Sequence, residues 1–307
     1  MIDLDSAHAA VSQYLAPTPL IPFHQAGLDV PVYVKYEGAQ PIGAFKIRGA
    51  VAALAAYREP VVTASVGNHA LGIAHAARLL SVEATVVVPE TAAEVKIRKL
   101  REYPIELVLA GEDFDAAEKH ALALAGKGRR YVSAYNDPHD IAGQSTLLTE
   151  VATALPEDFT VVVPAGGGGL LSGVALAARR APQDIRVIGV EAEACRALST
   201  AVAEGRVVHV PMGKTVADGL YGNLESASST PGIVRDCGVR MVAVAESSIR
   251  RSVRELVTGA GLVAEGASAT ALAALRDGLV PLDRPVVLVI SGRNIGVDLL
   301  ATILGEP

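Results

Sequence analysis

The chain has 307 residues, half of them hydrophobic and a fifth charged, which excludes an extended disordered protein and provides for one large packed domain or two modest ones. A formal charge of -6, with no Lys/Arg cluster interleaved with aromatics, argues against a nucleic-acid partner and leaves a small molecule as the expected ligand. Cys195 and Cys237 are the two cysteines, too few and too far apart for a disulfide framework or a CxxC zinc site, and a reducing compartment fits them.

The opening stretch MIDLDSAHAAVSQYL lacks the basic start and apolar core of a signal peptide, so the expected location is the cytoplasm. The longest apolar stretch, 161–178, is broken by Pro164 and by four glycines, so no membrane span is expected. Short β-branched runs alternate with Ala/Leu-rich segments of helical period, the pattern of an α/β protein with a parallel sheet covered by helices. In chain order, strands are predicted at 31–35, 61–64, 84–88, 105–109, 159–163, 185–190, 240–245 and 285–290. Helices are predicted to start near Phe45, Asn68, Ala92, Asp113, Asp140, Leu170, Ser247, Ala267 and Asn294. No repeat, long linker or low-complexity tract marks a domain boundary.

Four segments at predicted strand ends carry chemistry. Lys46 lies at a strand-to-helix corner in GAQPIGAFKIRGA, where a partly buried amine can lose its proton and become a nucleophile; alone, the segment reads equally as a solvated lysine beside Arg48. Ser65-Val66-Gly67-Asn68-His69 opens a helix, and its N–H groups and hydroxyl form a seat for a carboxylate, or a plain capping turn. Gly166-Gly167-Gly168-Gly169 joins a buried strand to a buried helix, so successive N–H groups can wrap a phosphate. It fits neither a Walker loop nor the GxGxxG dinucleotide pattern. Ser291, after PVVLVI, offers a hydroxyl to a ligand's ring nitrogen, or caps a helix.

An amine, a carboxylate seat, a phosphate cradle and a hydroxyl are the parts of a pyridoxal-phosphate site. Over nearly its whole length the chain resembles the fold type II, tryptophan-synthase-like pyridoxal-phosphate enzymes, and among them the threonine and serine dehydratases and serine racemases. The likeness rests on Phe45-Lys46-Ile47-Arg48-Gly49-Ala50, on Ser65-Val66-Gly67-Asn68-His69, on the four glycines, on Ile141-Ala142-Gly143-Gln144 and on Ala217-Asp218-Gly219. The resemblance implies two parallel-sheet domains with the cofactor in the cleft between them, a large one of residues 1–58 and 139–307 and a small one of 59–138. It implies pyridoxal 5'-phosphate as cofactor, bonded to Lys46 as the catalytic amine. Phe45 lies against the ring, Asn68 bonds to the phenolic oxygen, Gly166, Gly167, Gly168 and Gly169 hold the phosphate, Glu265 is near the ring and Ser291 faces its nitrogen. Ser65, Gly67, Asn68 and His69 are implied as the substrate carboxylate seat.

The implied activity is elimination of the β-hydroxyl and then the amino group from a small hydroxyamino acid, threonine or serine, to a 2-oxo acid and ammonia, by a homodimer. Serine racemization is the alternative, and β-replacement a third, against which Gly67-Asn68-His69-Ala70 argues because that class has Gly-Asn-Thr-Gly. Racemases carry a second serine in the substrate loop where this chain has Val66. Two further departures are Ala44 in place of a serine before Phe45 and Arg293 in place of a small residue after Gly292. Glu191 matches one ligand of the racemases' divalent cation, but Ala197 replaces the second acid, and no histidine has metal-ligand spacing, so no metal is expected. The short stretch after Ser291 leaves no carboxyl-terminal regulatory domain to be expected.

Overall fold

A computed structural model describes residues 2–24 and 28–306. Among them ten strands form two sheets: β1 (Leu20–Pro22), β2 (Val32–Tyr36), β3 (Val61–Ala64), β4 (Ala84–Val88), β5 (Glu106–Leu109), β6 (Arg130–Tyr131), β7 (Phe159–Pro164), β8 (Ile185–Ala192), β9 (Arg240–Val244) and β10 (Val286–Ile290). One sheet has the order β1-β2-β10-β7-β8-β9 and is parallel except for β1, which runs antiparallel to β2. The other, β5-β4-β3-β6, is parallel throughout.

The interior strands read as unbroken apolar runs, FTVVVP in β7 and VVLVI in β10, because helices cover both faces of a parallel sheet and leave no solvated side. Both strands are buried at every position, whereas the edge strands β5 and β9 are partly exposed. All eight predicted strands are present, with bounds shifted by at most two residues. The additions, β1 and β6, have three and two residues and lack a hydrophobic period to reveal them. The predicted helices form, and three more occur at Leu4–Tyr14, Ala197–Glu204 and Thr230–Asp236. The first of these is capped by Asp3, whose carboxylate accepts from the N–H groups of Asp5 and Ser6, both at 3.1 Å.

The chain divides into two compact units, Met1–Ala16 with Lys46–Thr146 and Pro17–Phe45 with Leu147–Pro307. This differs from a division at 58 and 139. Helices Leu4–Tyr14 and Lys46–Tyr57, and Pro138 to Thr146 of helix Pro138–Ala154, belong with the four-stranded sheet. Helix Lys46–Tyr57 buries Ile47, Val51 and Leu54 and packs against helix Asn68–Leu80. An apolar helix face specifies burial but not which sheet it covers, so sequence could not assign it.

In the larger unit the core gathers Val34, Val162, Ile188, Leu272 and Leu288. Each such side chain contributes about 1.5–3 kcal/mol relative to exposure. In the smaller unit Val62, Val87, Ala117 and Ala121 pack together. Since β2, β10 and β7 are adjacent and parallel, their carboxyl ends carry three segments to one edge of the sheet: the turn after Tyr36, Ser291 and the four glycines. In the other sheet Ser65 follows the carboxyl end of β3. Carboxyl ends of parallel strands are where α/β folds bind ligands. Among the described residues no helix is long and apolar enough to cross a membrane.

Candidate active site

The larger unit holds the glycine loop, Phe45, Glu265 and Ser291. Gly168 is the N-cap of helix Gly169–Ala178 with φ +89°, and a Cβ there would come within 2.8 Å of the Thr230 Cβ. A Cβ on Gly166 would come within 2.9 Å of the Leu220 Cα, in the turn Asp218–Leu220 that carries the Ala217-Asp218-Gly219 motif. The Thr230 hydroxyl donates to the Gly167 carbonyl at 2.7 Å, which fixes the loop from behind. Its first-turn N–H groups face away from any intrahelical acceptor, as at every helix start, and form a rigid anion seat.

Phe45 N–H donates to the Ser291 carbonyl at 2.9 Å, Arg293 N–H donates to the Gly43 carbonyl at 2.8 Å, and Ala44 pairs with Gly292 in an antiparallel bridge. The segment before Lys46 is thereby clamped to the end of β10. Ala44 is fully buried at this bridge. The buried Ser291 hydroxyl lies 3.0 Å from the Ser268 hydroxyl, which donates to the Gly292 carbonyl at 2.8 Å and accepts from the Gly292 N–H at 2.7 Å. Glu265, also buried, accepts from Asn294 N–H at 3.2 Å and has a carboxylate oxygen 2.8 Å from where a Gly292 Cβ would stand. Arg293 is exposed and its side chain lies beside Gly43, so it turns outward.

The smaller unit holds Lys46 and the Ser65–His69 loop. Lys46 is the first residue of helix Lys46–Tyr57, and its ammonium donates to the Ala134 carbonyl. Burial pulls its pKa below the ordinary lysine range, and the charge of Asp140 only partly opposes this. The Ser65 hydroxyl accepts from Gly67 N–H at 3.2 Å, which folds the loop over the start of helix Asn68–Leu80. Nothing lies within 4 Å of a Cβ position on Gly67, so the space above it is open.

His69 is 3% exposed, and its side chain turns inward: Nε2 is 3.0 Å from the Thr63 hydroxyl and 3.2 Å from the Val132 carbonyl. The Thr63 hydroxyl already donates to that carbonyl at 2.8 Å, so the proton on His69 belongs to Nε2 and Nδ1 is a bare acceptor. Nδ1 is buried without a partner. Burial first, then the charge of Lys46, hold the imidazole down to about 3, while the Val132 carbonyl pulls the other way. What His69 can offer a carboxylate is therefore its backbone N–H.

Sequence reasoning missed Ser268 and Thr230, which hold Ser291 and the glycine loop, since each meets a partner far from it in the chain. Glu191 is buried and caps helix Ala197–Glu204, accepting from Leu198 N–H at 2.9 Å and Ser199 N–H at 3.2 Å. Among the described residues no group of three or more His, Cys, Asp or Glu side chains is placed to hold a metal.

Residues 11–292 match the family described as pyridoxal-phosphate dependent enzyme. The chain is 38% identical over 284 residues to an L-threonine ammonia-lyase of Geobacter sulfurreducens, covering 90% of this chain and 70% of that one. Among solved structures it is similar to the processed threonine deaminase isoform 2 of Solanum lycopersicum, with TM-score 0.90 and 30% identity over 99% of this chain and 92% of that one. It is also similar to maize serine racemase, with TM-score 0.89 and 28% identity over 98% and 96%.

His69 is expected to stay neutral, with its proton on Nε2, from pH 8 down to about pH 5, whereas an ordinary histidine is half protonated near 6.5. Two-bond nitrogen–proton NMR spectra of the imidazole across that range check this. Protonation of His69 with a midpoint above about 6 would show that the ring is solvated.

Proposed function

The chain belongs to the pyridoxal-phosphate dependent enzyme family, and from that premise we propose that it is an ammonia-lyase converting L-threonine or L-serine to a 2-oxo acid and ammonia. The observation that carries this reading is Lys46, an amine at the start of a helix that burial drives toward its neutral form. A lysine is a nucleophile and a base only after it has lost its proton.

Pyridoxal phosphate is the cofactor, and the residues present suit it: a glycine loop at a helix start, packed so closely on Leu220 and Thr230 that Gly166 and Gly168 admit no side chain and the loop presents backbone, a buried hydroxyl at Ser291, and an amine held below its usual pKa. In this reading Gly166 to Gly169 hold the phosphate through backbone N–H groups, Phe45 and Glu265 border the ring, Asn68 bonds to its phenolic oxygen and Ser291 faces its nitrogen. When bound, the cofactor supplies the electron sink that acidifies the substrate Cα proton. Lys46 would anchor the cofactor, and as a free amine it would be the base that takes that proton. The Ser65 hydroxyl and the N–H groups of Gly67, Asn68 and His69 seat the substrate carboxylate, aided by the positive end of helix Asn68–Leu80. Ser291 is neutral and its hydroxyl is tied to Ser268, so no carboxylate holds a proton on the ring nitrogen; this favours elimination over transamination. We take the working form to be a cytoplasmic homodimer, as is common in this family; the free thiols of Cys195 and Cys237 agree with a reducing compartment.

Racemization would require a proton donor on the face opposite Lys46, and the loop residue in question, Val66, has no proton to give.

Lys46→Ala is expected to remove the visible absorbance of bound cofactor and to lower turnover by several orders of magnitude, measured as 2-oxo acid and ammonia released from threonine and serine. Near-normal turnover would end the proposal. L-Serine is expected to give pyruvate with little D-serine, and Val66→Ser to raise racemization relative to elimination. Chiral chromatography of the residual serine beside a pyruvate assay reads both. D-Serine formed by the unaltered enzyme as fast as pyruvate would put racemization first.

A further inference from the structure

The smaller unit buries a carboxyl that the reaction above does not use. Asp140, in the first turn of helix Pro138–Ala154, is fully buried. It lies against helix Lys46–Tyr57: a Cβ added to Gly49 would come within 2.1 Å of its Oδ1 and 2.2 Å of the Gln144 Nε2. Gly49 is three residues beyond Lys46, so it stands one turn along on the same side of that helix. Gln144 donates to Asp140 Oδ2 at 3.3 Å, while Oδ1 has no partner. A buried carboxyl with a bare oxygen is costly, and an apolar side chain of similar volume would fill the space without that cost.

The surrounding groups narrow the role. Asp137 is saturated, accepting from Tyr57 at 2.6 Å, His139 N–H at 2.9 Å and Asp140 N–H at 3.0 Å, and its negative charge can only oppose ionisation of Asp140. His69 is held neutral by burial and by the charge of Lys46, against the pull of the Val132 carbonyl, and supplies no charge. The buried Arg48 directs a guanidinium nitrogen to the Thr146 hydroxyl at 3.0 Å, farther along helix Pro138–Ala154. The positive charge that acts on Asp140 is that of Lys46, and Asp140 acts back on Lys46.

We propose that Asp140 is a positioning residue for Lys46, a buried carboxyl that sets the balance between the lysine's ammonium and its free amine. The proposal rests on the reading of Lys46 as the working amine. Burial, reinforced by Asp137 and opposed by Lys46, pushes the Asp140 carboxyl up to about 7. Below that pH Asp140 is neutral, and burial alone acts to strip the lysine's proton. Above it the carboxylate supports the ammonium, so the two groups titrate as a pair.

The test is the reactivity of Lys46 in the cofactor-free full-length chain. Acetic anhydride labelling is followed against pH by peptide mass spectrometry, with the reactive form of the amine read from the midpoint. Asp140→Asn is expected to lower that midpoint by about one pH unit, raising the labelling rate about tenfold at a fixed pH below it. Asp140→Leu, which keeps the volume without the charge, carries the same expectation should the amide not be tolerated. Thr146→Val, which removes the Arg48 bond between the same two helices, should leave the midpoint where it is. An unmoved midpoint in both Asp140 variants would overturn the proposal, as would an equal shift in Thr146→Val. Failure of the Lys46→Ala prediction would remove the enzymatic reading without altering this labelling result, so the two can fail separately.

Discussion

Taking an ammonium out of water costs several kcal/mol unless an anion goes with it, and that constraint separates Lys35 from Lys46. Lys35, on β2, is 1% exposed and keeps its charge because the Glu150 carboxylate lies 2.5 Å from its Nζ and the Thr18 carbonyl accepts from it at 2.7 Å. Lys46 donates to the Ala134 carbonyl, a neutral acceptor, and the charge of Asp140 does not outweigh its burial. In the proposed reading one lysine is a strut and the other a reagent.

The groups around Lys46 are consistent with that division. A histidinium nearby would compete with Lys46 for charge, and His69 is instead held neutral by burial and by the charge of Lys46 itself, which together outweigh its bond to Val132. Asp137 accepts from three donors, while Asp140, its carboxyl pushed up to about 7 by burial, is an acid whose charge can vary near neutral pH. In the other unit the proposed phosphate seat would use backbone N–H groups at a helix start, with Thr230 fixing the loop from behind. In the proposed reading the side-chain chemistry then falls to an amine, Lys46, and a hydroxyl, Ser291, whose orientation Ser268 shares in setting.

Much of this was legible in the sequence because glycine, serine and lysine punctuate strand ends. The corners at Lys46, Ser65, Gly166 and Ser291 follow apolar runs whose burial is imposed by helices on both faces, so those strands and the segments after them are read together. The positive φ of Gly168 is likewise announced by the residue type. What escaped was everything set by partners distant in the chain. Thr230 grips a loop 63 residues away, and Ser268 meets a serine 23 residues on. Asp140 reads as an ordinary helix-start acid until helix Lys46–Tyr57 is laid against it. The compact units differ from the expected division for the same reason, since neither the apolar face of helix Lys46–Tyr57 nor that of helix Leu4–Tyr14 says what it packs against.

Borohydride reduction of the chain with its cofactor bound, followed by peptide mapping, tests the assignment of the working amine most directly. Reduction fixes the cofactor to the nitrogen that carries it. The account places the pyridoxyl mass on the peptide containing Lys46 and leaves Lys35, ion-paired to Glu150, unmodified. A stoichiometric label on Lys35 or any other lysine, with Lys46 bare, would contradict it.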